Sequence, residues 1–151
     1  MKFPYAKSKT RTPEGREYQA LLPLIPIGVR SRSRTIRYMA LLDSGAETSM
    51  FHQELGAALG IELERGARRT FYGIGHGRTV GYVHTVELEV GGWWLDCPVA
   101  FCPGMIRIEP GDPPRTVGLS YGILGQEGFF DKFRVVFDRS AQQVELKPKF
   151  T

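Results

Sequence analysis

The chain has 151 residues, 18 of them Gly and 10 Pro: enough for one domain burying roughly 68–70% of its unfolded surface, and short of the ~25–30% Gly plus Pro that marks a disordered chain. Lys and Arg number 20 against 16 Asp and Glu, a net charge of +4 that aids solubility and names no partner. No run approaches the ~18 apolar residues of a membrane span, and the first residues lack the apolar centre of a signal peptide, so no membrane association and a cytoplasmic location are expected.

Residues 1–16 carry Lys2, Lys7, Lys9, Arg11 and Arg16 with two prolines and few apolar positions. They read as a basic N-terminal arm or partly ordered tail ahead of a domain spanning 17–151. Residues 20–29 look extended, and Pro23 and Pro26 confine them to a sheet edge or bulge because proline cannot donate to a ladder. Residues 30–34 form a polar turn, and residues 36–42 a second strand that ends in Met39-Ala40-Leu41-Leu42 and runs into Asp43. The one clear helix is 52–59, with Leu55, Ala58 and Leu59 at helical spacing and Gly60 as its stop.

Residues 70–90 make a hairpin around Gly73-Ile74-Gly75-His76-Gly77, with Val86, Leu88 and Val90 alternating with Glu87 and Glu89. Residues 93–101 add a strand, 103–120 a long Pro/Gly loop, and 133–137 with 144–146 a closing hairpin. About seven strands and one or two short helices indicate an all-β barrel or sandwich. Cys97 and Cys102 are five apart, so along one strand they face opposite sides and a disulfide between them is not expected.

Leu41-Leu42-Asp43-Ser44-Gly45-Ala46 carries the strongest chemical signal. An ionised carboxylate at an apolar strand end costs several kcal/mol unless it is paired or solvated. Gly45 and Ala46 leave room for a ligand or another backbone. Taken alone, Asp-Ser-Gly also reads as a turn in which the aspartate caps its own backbone.

Together with the 73–77 hairpin tip and with Ile123-Leu124-Gly125, this motif resembles the retropepsins, the single-domain aspartic proteases of retroviral type. The three motifs match in order and spacing, and the resemblance covers roughly residues 21–146. It implies a closed acid-protease barrel with Asp43 as the catalytic aspartate. It further implies that Ser44 locks two active-site loops together across a subunit boundary and that the Gly45 carbonyl holds substrate. Ala46, Tyr72, Gly73, Ile74 and Gly75 would contact substrate, the 73–77 tip acting as a flap. Ile123, Leu124 and Gly125 would support the catalytic loop from behind, and residues 129–133 would form a closing helical turn. In retroviral members the acidic residue at the position of Glu47 pairs with an arginine following the later glycine. Here Gln126 follows Gly125, so that pair is absent or replaced. Retroviral members also dimerise through terminal strands, whereas neither the basic arm nor the 147–150 tail shows a strand pattern.

Peptide hydrolysis by aspartates needs two carboxyl groups sharing one proton about 3 Å apart. No other aspartate here, at 96, 112, 131 or 138, precedes Ser/Thr-Gly, so the second carboxyl group is expected from Asp43 of a second chain. The expectation is a homodimeric aspartic endopeptidase acting on peptide or protein substrates without cofactor or metal. The alternative is an inactive dimerisation or peptide-binding module on the same barrel.

Other motifs carry less. Gly118-Leu119-Ser120-Tyr121-Gly122 has the form of a nucleophile elbow but lacks a preceding strand, a following helix and a later histidine. Gly73, Gly75 and Gly77 lack the Lys-Ser/Thr and helix of a phosphate loop. His76, His84, Cys97 and Cys102 fit no tight zinc spacing. Arg30, Arg32, Arg34 and Arg37 form a basic patch without interleaved aromatics, read as a solvated surface rather than a nucleic-acid site. The 103–120 loop either borders the substrate groove or decorates the surface.

Overall fold

The computed structural model describes residues 1–149; the last two residues of the expected 17–151 domain, Phe150 among them, lie outside the described residues. In chain order the strands begin with β1 (Lys2–Pro4), β2 (Ala6–Arg11), β3 (Glu17–Leu22), β4 (Leu24–Ser31), β5 (Arg34–Leu42) and β6 (Ser49–His52). A short helix α1 (Gln53–Ala58) follows. The chain continues with β7 (Ala67–Tyr72), β8 (Arg78–Val90), β9 (Trp93–Cys102), β10 (Ile106–Glu109) and β11 (Arg115–Gly118), and ends with β12 (Gly122–Leu124), β13 (Phe133–Asp138) and β14 (Gln143–Pro148).

Six of these strands close into a barrel in the order β4, β5, β12, β6, β9, β8, with β8 returning to β4 through Gly28↔Glu89, Val29↔Leu88 and Arg30↔Glu87. The all-β closed barrel expected from the sequence is the fold observed. Closure removes the unpaired edges that would otherwise invite association. Pro26 is tolerated because β8 covers only residues 28–30 of β4, leaving an open edge at the proline, opposite its partner Met39 on β5. Ile25, Ile27, Val29, Ala40, Leu42, Phe51, Phe101 and Leu124 point inward and are buried.

Three local expectations change. The 103–120 segment is not a plain loop: β10 and β11 pair as a hairpin. The basic arm is not a loose tail either, because β1 pairs with β14, which pairs with β13, and β2 pairs with β3 as a separate two-stranded ribbon. The helix is a residue shorter at each end than 52–59, with His52 and Leu59 as its caps and Gly60 at φ +77° stopping it. Cys97 and Cys102 are both buried and free.

The basic patch is largely used by its own chain. Arg30 makes two bonds to the Glu87 carboxylate, at 2.8 and 2.7 Å, and lies 3.9 Å over the Trp94 ring. Arg37 pairs with Glu89 at 2.6 Å, and Arg34 donates to the Ala58 carbonyl at 2.9 Å.

Candidate active site

Asp43 follows the last residue of β5 and is half-buried, while Ser44 and Gly45 are exposed. Its backbone N–H donates to the Leu124 carbonyl at 3.1 Å, and its own carbonyl accepts the Ala46 N–H at 3.2 Å. Its Oδ1 accepts the Gly45 N–H at 2.9 Å. The charge anticipated at an apolar strand end is thus met by a backbone donor and by partial exposure rather than by a counter-ion. The turn-capping geometry that Asp-Ser-Gly allows is present, and it fixes one carboxylate oxygen while Oδ2 makes no hydrogen bond among the described residues.

Ile123 and Leu124 lie in β12 between β5 and β6, with Ile123 opposite Leu41 and Met50, and Leu124 opposite Leu42. The Gly125 N–H donates to Ser49 Oγ at 3.0 Å. Gln126 and Glu127 donate their backbone N–H groups to the carbonyls of Ala46 and Glu47, both at 2.8 Å. A Cβ at Gly125 would stand 2.7 Å from the Thr48 carbonyl carbon and 2.9 Å from Ala46 O, so only glycine allows this approach. The Gln126 amide donates to the Ser44 carbonyl at 2.6 Å, and Glu47 makes no ion pair among the described residues.

The tip between β7 and β8 closes through the Gly73 N–H donating to the Gly77 carbonyl at 2.9 Å, with Gly75 and His76 at φ +82° and +68°. Tyr72 is 78% exposed and Ile74 fully so. Between the Asp43 loop and β7 lies a groove of about 710 Å³ lined by Gly45, Ala46, Glu47, Thr48, Arg69 and Tyr72 among others. Within it Arg69 donates to Thr48 Oγ1 at 3.2 Å and faces the Glu127 carboxylate at 3.4 Å. An adjoining apolar pocket of about 200 Å³ shares Met50, Phe71 and Tyr72 and adds Gly73, Met105, Leu119 and Ile123. Both ends of the 103–120 segment, at Met105 and Leu119, therefore line this adjoining pocket and not the groove itself.

Of the expected site residues, Asp43, Ser44, Gly45 and Ala46 form one loop held by Leu124, Gly125 and Gln126. Tyr72 and Gly73 line the cavities, whereas Ile74 and Gly75 line neither. Thr48, Arg69 and the buried His52 were not singled out from the sequence. His52 Nε2 donates to Leu119 O at 2.7 Å, and its Nδ1 meets the Tyr38 hydroxyl. The candidate metal residues do not gather: among the described residues no three His, Cys, Asp or Glu side chains form a cluster, and His84 Nε2 donates to Leu63 O at 2.8 Å. No helix among the described residues is long and apolar enough to cross a membrane.

A family profile described as Aspartyl protease matches residues 29–127. No curated protein matches the sequence. Among solved structures, the chain is similar to the crystal structure of a retropepsin-like aspartic protease from Rickettsia conorii, with TM-score 0.54 and 17% identity, covering 95% of this chain and 97% of that one. It is also similar to the crystal structure of the retroviral protease-like domain of Ddi1 from Leishmania major, with TM-score 0.52 and 14% identity, covering 85% of this chain and 95% of that one. At these identities the likeness is one of fold.

Proposed function

The chain belongs to the aspartyl protease family, and from that premise we propose that it is a homodimeric aspartic endopeptidase whose reacting groups are two Asp43 carboxyls, one from each subunit. The observation that carries this reading is the placement of Asp43: a half-buried carboxylate at a strand end, oriented by the Gly45 N–H, in a loop whose next residues line a groove large enough for an extended peptide.

Two such carboxyls about 3 Å apart hold one proton between them, since both cannot ionise at that distance. The ionised one takes a proton from water as the oxygen bonds to the peptide carbonyl carbon, and the other protonates the carbonyl oxygen. Transfer of a proton to the nitrogen then lets the C–N bond break. The pair titrates as a unit, so its pKa values belong to both carboxyls together.

Substrate lies extended in the groove as an added strand, held by main-chain bonds, with alternate side chains entering flanking pockets. The 73–77 tip acts as a flap: Ile74, fully exposed in the single chain, gains its contacts when the tip closes over a peptide. Ser44 links the two active-site loops, and residues 123–125 hold each loop in place. The test is turnover of a peptide library at mildly acidic pH, where Asp43→Asn should abolish cleavage while fold and dimer persist. Retained cleavage would refute the assignment, and peptide binding without turnover by the unaltered chain would assign it to a binding module instead.

A further inference from the structure

Among the described residues the strands β2 and β3 pair only with each other, from Ala6↔Leu22 to Arg11↔Glu17. None of its residues is buried, and Tyr18 is 51% exposed. A lone two-stranded hairpin is marginal at best in water, because it buries too little to offset the order it imposes. Arg139 donates to the Leu21 carbonyl at 3.3 Å, but neither outer edge of the ribbon pairs with another strand among the described residues. Leu21 packs on the core at the ribbon's root, and beyond it the ribbon has no covering strand among the described residues.

Its roots are firmly held. Tyr5, just before it, is buried and donates its N–H to Gln142 O at 2.8 Å. Pro23, just after it, accepts the Leu42 N–H at 3.0 Å, and Leu42 immediately precedes Asp43. The ribbon therefore leaves the barrel at the end that carries the candidate catalytic loop. Strand β1 does not compete for this role, being already paired with β14 of its own chain.

Charge gives the direction. Lys7, Lys9 and Arg16 make no ion pair among the described residues, while Arg11 pairs with Glu17 within the ribbon at 2.8 Å. At the rim of the groove Glu47 is exposed and makes no ion pair among the described residues, and Glu127 shares Arg69 with Thr48.

We propose that the β2–β3 arm of each chain docks on the Asp43 end of a second copy of this chain, its lysines set against that copy's Glu47 at the groove rim. The inference rests on the dimeric reading above. With two Asp43 carboxyls about 3 Å apart, both arm roots lie beside the two-fold axis, and a ribbon of six-residue strands, about 20 Å long, is long enough to reach across it. The contact is isologous, so each chain both gives an arm and receives one.

The test is sedimentation velocity over a range of concentrations on three chains: the unaltered protein, a variant with residues 9–19 replaced by Asn-Gly, and Lys7→Glu/Lys9→Glu. The shortened arm should raise the dimer dissociation constant by about tenfold or more, with the melting temperature of the diluted monomer unchanged. The charge variant should weaken the dimer at low salt, and its deficit should shrink near 1 M salt, where the screening length is about 3 Å. A shortened chain that dimerises as well as the unaltered one overturns the arm and leaves the protease reading standing. An unaltered chain that is monomeric throughout overturns both. If the arm variants instead lose affinity for a single-stranded RNA oligonucleotide and keep their dimer, the arm serves a polyanion and the proposal fails.

Discussion

The side-chain amide of Gln126 donates to the carbonyl oxygen of Ser44 at 2.6 Å, tying the residue after Asp43 to the segment that follows β12. A neutral donor does this work, and Glu47 makes no ion pair among the described residues. Gln126→Ala should cost about 0.5–1.5 kcal/mol in denaturant unfolding, and should lower kcat more than it raises KM because the loop that aims Asp43 loosens. Kinetics and stability unchanged from the parent would show that the backbone bonds of Gln126 and Glu127 hold the loop unaided.

His52 links the barrel to the wall of the apolar pocket. A carbonyl only accepts, so Nε2 carries the proton toward Leu119 O, and Nδ1 accepts from the Tyr38 hydroxyl. Burial pushes the Tyr38 phenol well above its ordinary range, keeping it a donor at working pH. His52→Ala should destabilise by about 1–3 kcal/mol and raise KM for peptides with an apolar side chain seated against Leu119. His52→Gln, whose amide can reach the same carbonyl, should recover most of that KM. Equal KM in both variants would make the histidine a packing residue only.

The two thiols report on the alkaline limb of stability. Burial pushes Cys97 up to about 12 and Cys102 up to about 11, from an ordinary value of 9.0. A raised thiol pKa means that above pH 9 the unfolded chain releases protons the folded chain retains, so stability falls as pH rises from about 9 toward 11–12, by at most about 1.4 kcal/mol per pH unit per thiol. Cys97→Ala/Cys102→Ala should flatten that limb in melts taken between pH 8 and 11. Native protein should resist thiol-directed alkylation at pH 8 and react at both cysteines once unfolded; rapid native labelling would contradict their burial.

Gly125→Ala should be among the most damaging single changes. Its Cβ would collide with the backbone of Thr48 and Ala46, and the backbone has little room to yield between β5 and β6. Overpacking of this kind costs about 1–3 kcal/mol, read as a lower denaturation midpoint. A parent-like midpoint would mean that the loop can shift without loss.

The residues that announce chemistry were legible because they are contiguous: an apolar strand ending in Asp-Ser-Gly-Ala, a glycine-rich tip, and Ile-Leu-Gly. The hairpin at 70–90 was legible from its alternation. What stayed hidden depends on contacts between distant segments. Arg69 meets Thr48 across 21 positions and His52 meets Leu119 across 67, and neither pairing leaves a local pattern. The strands β10 and β11 are four residues each inside a Pro/Gly-dense stretch, too short to display a period. In β2, Lys7, Lys9 and Arg11 alternate with Ser8 and Thr10, so the strand has no apolar face and reads as tail. The loss of the Glu47 partner was visible at Gln126, but the amide's turn toward Ser44 was not.

In the proposed mechanism each reacting pair draws one Asp43 from each of two chains. That pairing is read by mixing the unaltered chain with Asp43→Asn, allowing subunits to exchange, and measuring peptide cleavage at constant total protein. If both carboxyls are required, activity follows the square of the unaltered fraction, and an equal mixture retains about one quarter of the full rate. A linear decline to one half would mean that each chain cleaves with its own Asp43 alone, and would rule out a shared pair.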